Sequence, residues 1–237
     1  MGMAAAAPAK AWTPLMPDVE TAIDVTVNPS CDNLTGGGID PDSIYGVKSI
    51  SSVPVSNYEG NPAEISSCLV ADVTTTESVY PGFTLVTPDA GTNDRAGDIW
   101  YRPIARNGAD VVEERGRLEY GTFDFVLDDD LVAKGGKLRF TFLDIEGSKP
   151  TTGVKVGDTF YNAFTDGTYV GGNDKRYELV LSMVSAFTVI AGSDTSGFGD
   201  GVNFRVEAQT PEPSAMLGLG LAVGALATAR KRRTEHE

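Results

Sequence analysis

From Val73 onward apolar and polar residues alternate with a period of two, the pattern of strands that bury one face. Val202, Phe204, Val206 and Ala208 alternate with Asn203, Arg205, Glu207 and Gln209. Phe123, Phe125 and Leu127 alternate in the same way with Thr122, Asp124 and Val126. Leu138, Phe140 and Phe142 share one face of the next segment, after which the apolar parity passes to Leu143 and Ile145. That switch predicts a bulge near Phe142, beyond which Asp144 and Glu146 point the same way. Residues 177–191 hold no Gly or Pro and would permit a helix, but Leu179, Leu181, Met183, Phe187 and Val189 fall on one parity. The segment therefore reads as one long strand bent at Ser185.

Turn signals separate these runs. Asp128-Asp129-Asp130 and Gly135-Gly136 lie in one link, and Asp166-Gly167, Gly171-Gly172-Asn173-Asp174 and Gly197 to Gly201 in later ones. Short strands at this spacing, without a long amphipathic helix, predict an all-β domain over residues 12–209: an antiparallel β-sandwich or jelly roll. Trp100-Tyr101 followed by Arg102-Pro103 reads either as core anchors beside a turn or as exposed aromatics.

The last 27 residues break the pattern. Pro211-Glu212-Pro213-Ser214 is followed by an uncharged run over 215–229, then by Arg230-Lys231-Arg232-Arg233. As a helix the run would rise roughly 22 Å against roughly 30 Å of hydrocarbon, a short span that Ser214 and the reach of the arginines extend. Gly218, Gly220 and Gly224 weaken a helix in water and suit close packing in a membrane. The basic cluster predicts a cytoplasmic C-terminus, with residues before Pro211 on the far side. The first residues are Ala-rich and end Ala9-Lys10-Ala11, like the small-residue end of a secretory leader. Residues 1–11 are therefore expected to be the remnant of a signal peptide that starts upstream.

This tail resembles the PEP-CTERM sorting signal of Gram-negative and related bacteria. Pro-Glu-Pro, a short apolar helix and an Arg-rich end stand in the same order at the extreme C-terminus. The resemblance covers residues 211–237 and implies recognition by exosortase, a membrane-embedded enzyme thought to cut at the Pro-Glu-Pro element. It implies an inner-membrane anchored precursor, then delivery to the cell surface or an extracellular polysaccharide matrix. Leu118-Glu119-Tyr120-Gly121-Thr122-Phe123, Phe142-Leu143-Asp144-Ile145-Glu146 with Thr152-Gly153-Val154, and Gly199-Asp200-Gly201-Val202 resemble the LEVG group of these proteins, with Tyr120 where the group's name has Val. That group brings an architecture and no activity.

Charge and chemistry narrow the cargo. The net charge of −14, with four of 19 basic residues in the tail cluster, disfavours nucleic acid and anionic lipid as partners. Cys31 and Cys68 are the whole thiol inventory. In an oxidising compartment they read as a disulfide closing a loop of about 37 residues, on the order of 4 kcal/mol in the chain-entropy model; two buried free thiols are the alternative. The one histidine, His236, lies in the tail, which leaves the domain no imidazole for a nucleophile system or a His-ligated metal. No catalytic residue is expected. A glycan hydrolase would need only two carboxylates, for which Asp144 and Glu146, with Glu113, Glu114 and Glu119 near in sequence, are the candidates. The same acids, with Asp194, Asp200 and the Asp128 to Asp130 loop, suit Ca²⁺ or else cap their own turns. No other cofactor is expected. The leading expectation is a noncatalytic surface or matrix protein; the alternative is a carbohydrate-binding module stacking sugar on Trp100, Tyr101 and Tyr161.

Overall fold

A computed structural model describes residues 11–25, 38–54, 65–73, 78–80, 83–85, 99–107, 110–111, 120–143, 145, 151–171, 176–192 and 202–210. In chain order the strands are β1 (Thr13–Pro14), β2 (Thr21–Ile23), β3 (Val47–Ser52), β4 (Ile65–Val73), β5 (Ser78–Tyr80), β6 (Phe83–Leu85), β7 (Ile99–Asn107) and β8 (Asp110–Val111). They continue with β9 (Gly121–Leu127), β10 (Lys137–Leu143), β11 (Gly153–Val156), β12 (Thr159–Asn162), β13 (Thr168–Gly171), β14 (Arg176–Ser182), β15 (Ala186–Ala191) and β16 (Asn203–Gln209). One short helix, α1 (Asp129–Ala133), joins β9 to β10.

Every strand pairing among them is antiparallel. The larger sheet runs β13-β14-β10-β16-β7-β4-β2, with β1 added to β16 and β8 to β7; the smaller runs β12-β11-β15-β9-β3. The two lie face to face in a sandwich-like arrangement, joined by rings from both. Phe140 of β10 meets Phe187 of β15 edge-on at 4.9 Å between centroids, and Tyr101 of β7 meets Phe125 of β9 at 5.8 Å. Phe204 of β16 sits among Tyr101, Phe123, Phe125 and Phe142 and is fully buried. Such edge-to-face and tilted packing adds roughly 0.5–1.5 kcal/mol per pair to the burial itself.

The period-two expectation holds where one face meets the other sheet: β9 alternates buried and partly exposed residues along its length. Three expectations need correction. No bulge occurs at Phe142, since β10 keeps unbroken register with both β14 and β16 through Phe142. Leu143 is buried outside the core cluster that holds Phe140 and Phe142, whereas Ile145 belongs to that cluster. Residues 177–191 form two strands in different sheets: β14 in the larger and β15 in the smaller, with the chain crossing between them at Met183 to Ser185. Arg102-Pro103 forms no turn and lies inside β7, where Pro103 stands opposite Leu69 of β4. Pairing of β7 with β16 is confined to Tyr101, two residues before Pro103, so the missing proline N–H interrupts no bond on that side.

The Asp128 to Asp130 stretch is also not an open acidic loop. Asp128 is extended, and Asp129 and Asp130 occupy the first turn of α1, where their charge suits the helix dipole. Gly135 and Gly136 end the link at positive φ, 65° and 115°. A Cβ on Gly136 would collide with the Gln209 carbonyl oxygen, so glycine is demanded there by both conformation and space. Among the described residues no helix is long and apolar enough to cross a membrane; the run over 215–229 lies outside them.

Candidate functional site

The residues that alternate with the core set project from the outer face of the larger sheet. They are Asp72 on β4, Trp100 and Arg102 on β7, Asn203, Arg205 and Glu207 on β16, Arg139 and Thr141 on β10, and Arg176 and Glu178 on β14. Register brings them into rungs: Arg139 stands opposite Glu207, and Thr141 opposite both Arg205 and Glu178. An outer face would ordinarily be solvated. Here Asp72, Arg102, Thr141, Asn203 and Glu207 are all buried.

Burial is compatible with these charges because they meet one another. Arg102 Nη1 donates to Asp72 Oδ2 at 2.6 Å, with the two side chains 4% and 0% exposed. Arg139 donates from Nε at 2.6 Å and from Nη2 at 2.5 Å to Glu207 Oε2, and Arg205 Nε lies 3.4 Å from Oε1. One carboxylate thus gathers two guanidiniums, a charge-assisted arrangement stronger than neutral hydrogen bonds. The Arg139 guanidinium also stacks on the Trp12 ring at 4.6 Å. Between these groups a shallow depression is lined by Trp100, Arg139, Thr141, Arg176, Glu178, Arg205 and Glu207.

Three guanidiniums against two carboxylates make this a locally cationic spot on a strongly acidic chain. Its chemistry is that of hydrogen-bond donors fixed on strands, suited to holding an acceptor-rich group. The deepest polar groups serve the fold: Tyr101, wholly buried on the opposite face, donates its hydroxyl to the Leu15 carbonyl at 3.0 Å. Burial pushes its phenol well above the ordinary value.

Of the two readings of Trp100-Tyr101, the structure supports core anchors and overturns the aromatic platform. Tyr101 is a core residue, and Trp100 shows only 5% of its surface at the edge of the depression, too little to stack on a sugar. Tyr161, on β12, is partly buried against the core, opposite Val154. Of the acidic candidates, Asp144, Glu146, Asp194 and Asp200 lie outside the described residues, as do Glu113, Glu114 and Glu119. Asp129 pairs with Lys48 across 3.8 Å in solvent. Among the described residues no group of three or more His, Cys, Asp or Glu converges as a metal site. Cys68 is buried on β4 and no described cysteine is a free thiol, while Cys31 lies outside the described residues. Pro211, Glu212, Pro213 and the cluster Arg230, Lys231, Arg232 and Arg233 also lie outside them.

Sequence reasoning missed the buried ion pairs and two exposed aromatics, Phe164 and Tyr169. The alternation over 202–209 puts Glu207 on an outer face and Arg102-Pro103 reads as part of a turn, and neither pattern tells that this face is covered. No family model matches the chain, and neither a curated protein nor a solved structure does.

Proposed function

We propose that this chain is an exported, noncatalytic surface or extracellular-matrix protein, processed by exosortase, whose β-sandwich-like domain has a structural or adhesive role. The observation that carries the reading is the order of the C-terminal segment: Pro211-Glu212-Pro213, an uncharged run over 215–229, then Arg230-Lys231-Arg232-Arg233. Apolar length, small residues and terminal basic charge together describe a membrane handle with its cargo outside. In that setting Cys31 and Cys68 form a disulfide, and the acids at Asp144, Glu146, Asp194 and Asp200 are the groups that Ca²⁺ would use. The domain's acidity keeps it from nucleic acid and from anionic lipid.

The test is intact mass of the extracellular form, from cells with and without exosortase. The reading expects residues after Pro213 to be missing from the released protein, and the full chain to accumulate in the membrane when the enzyme is absent. A full-length protein dissolved in the cytosol, or a released form that keeps 215–237, would refute it.

A further inference from the structure

One rung of aromatic side chains crosses five strands of the larger sheet. Tyr101 on β7 is opposite Phe204 on β16, which is opposite Phe142 on β10; Phe142 faces Tyr177 on β14, and Tyr177 faces Tyr169 on β13. The first three are fully buried, Tyr177 is partly buried and Tyr169 is 55% exposed. The rung begins in the core and runs out into solvent at the β13 edge. There the turn from β12 adds Phe164, 43% exposed, with its ring 5.3 Å from that of Tyr177. Tyr169 lies 5.5 Å from Tyr177, and both rings are tilted by more than 50° to it. The three rings do not stack on one another, so the surfaces of Phe164 and Tyr169 are not consumed within the cluster.

Phe164 is held there by its turn. Asn162 Oδ1 accepts from the Phe164 and Thr165 backbone N–H groups at 2.9 Å each, and Asp166 Oδ2 accepts from the Asn162 N–H at 2.7 Å. The Ala163 N–H reaches back to the Thr152 carbonyl at 2.9 Å, and Ala163 is buried. A large apolar side chain is thus presented to water by a fixed backbone, which lowers the ordering cost of any ligand that covers it.

We propose that Phe164, Tyr169 and Tyr177 form a stacking platform for the rings of a neutral polysaccharide. It deepens the matrix role above by naming the ligand class, but belongs to the folded domain and not to the export tail. The exposed surface of Phe164 and Tyr169 together is roughly 200 Å², taking about 200 Å² for a whole aromatic side chain. A stable protein partner needs about 800 Å² per side; sugar rings need far less. Pairing of a second copy along β13 is opposed by the edge itself. The strand has four residues, its register shifts between Tyr169 and Gly171, and Gly171 takes φ 94°. Thr165 and Asp166 follow Phe164 in the turn and bring a hydroxyl and a carboxylate next to it in the chain, while Thr168 and Glu178 pair on the other face of the sheet. That mixture suits a pyranose, which offers C–H groups on one face and hydroxyls at its rim, and the Asp166 carboxylate disfavours a polyanion.

The test is affinity electrophoresis of the purified full chain in mild detergent, in gels containing hydroxyethyl cellulose, a β-1,3-glucan or a galactomannan, with alginate as the polyanionic probe. At least one neutral polymer retards the wild type, at low and high salt alike. Phe164→Ala and Tyr169→Ala each weaken retardation about tenfold. Tyr169→Phe, which keeps the ring, and Phe160→Ala, an exposed ring outside the three-ring cluster, bind as the wild type does. Thermal melts of each variant separate loss of binding from loss of fold. Absence of retardation by all three neutral polymers overturns the proposal, as does retardation that survives Phe164→Ala with Tyr169→Ala. Binding to alginate alone that salt abolishes overturns it in favour of the arginine-lined depression. Self-association that Phe164→Ala removes overturns it in favour of a second copy. None of these outcomes depends on whether the tail is processed.

Discussion

Removing one partner of the Asp72–Arg102 pair measures how thoroughly the outer face of the larger sheet is closed to water. Arg102→Met keeps most of the side-chain volume and takes away the guanidinium that sits 2.6 Å from Asp72 Oδ2. With the carboxylate 0% exposed, the remaining charge has no solvent to turn to. Losing one partner of a buried pair costs about 3–5 kcal/mol. For a domain of this size each kcal/mol lowers the melting midpoint by about 2–4 °C, so a fall of about 6–20 °C is expected. Replacing both partners, as Asp72→Leu with Arg102→Met, should return most of the loss, because a buried pair and an apolar pair of like volume differ little. The assay is thermal or urea unfolding of the four proteins of this double-mutant cycle. A single variant that loses less than about 1 kcal/mol would behave as an exposed surface pair does and would refute the claim that this face is covered.

Three further outcomes follow from the same packing. Tyr101→Phe should cost about 1–2 kcal/mol, read by urea unfolding, because the buried Leu15 carbonyl loses its hydroxyl donor. The raised Tyr101 phenol means the folded state holds a proton that the unfolded chain releases above about pH 10. Stability is therefore undiminished below that pH and falls above it, and in an absorbance titration of the eight tyrosines this one ionises only with unfolding. Gly136→Ala should cost about 2 kcal/mol or more, since its φ of 115° and the Gln209 carbonyl both oppose a Cβ; Gly135→Ala, with open space around it, should cost about 1 kcal/mol. Equal melting midpoints for the two variants would refute the steric part of that argument.

Strand identity was legible wherever a strand has one wet face. The alternation in β9 and β15 placed Phe123, Phe125, Phe187 and Val189 in the core, where they are. It failed where both faces are covered, because period two says which side chains share a face and not whether that face meets water. Leu143, buried outside the core cluster of Phe140 and Phe142, therefore looked like part of a change of register. Glu207 looked like ordinary surface, and Arg102 like part of a turn. The break between β14 and β15 was visible at Ser185, but not that the chain changes sheets there, since both halves keep the same parity toward one shared core. Phe164 was hidden for another reason: a single aromatic among turn residues carries no periodicity, and its exposure follows from hydrogen bonds of Asn162 and Asp166 that only the fold assembles. Residues 211–237 lie outside the described residues, and their reading rests on apolar length and terminal basic charge alone.

The last strand of the domain is not an edge of its sheet. β16 lies between β10 on one side and β7 and β1 on the other, and Thr13, near the chain's start, stands opposite Ala208, near the domain's end. A ribosome or translocon delivering this chain from its N-terminus therefore hands over the keystone last. Until residues 203–209 are free, β10 and β7 have no common neighbour and Phe204 is missing from among their inner aromatics, so closure is a late, long-range event of the slow kind. Any device that holds back the final residues thereby also sets the moment at which the domain becomes a solid object.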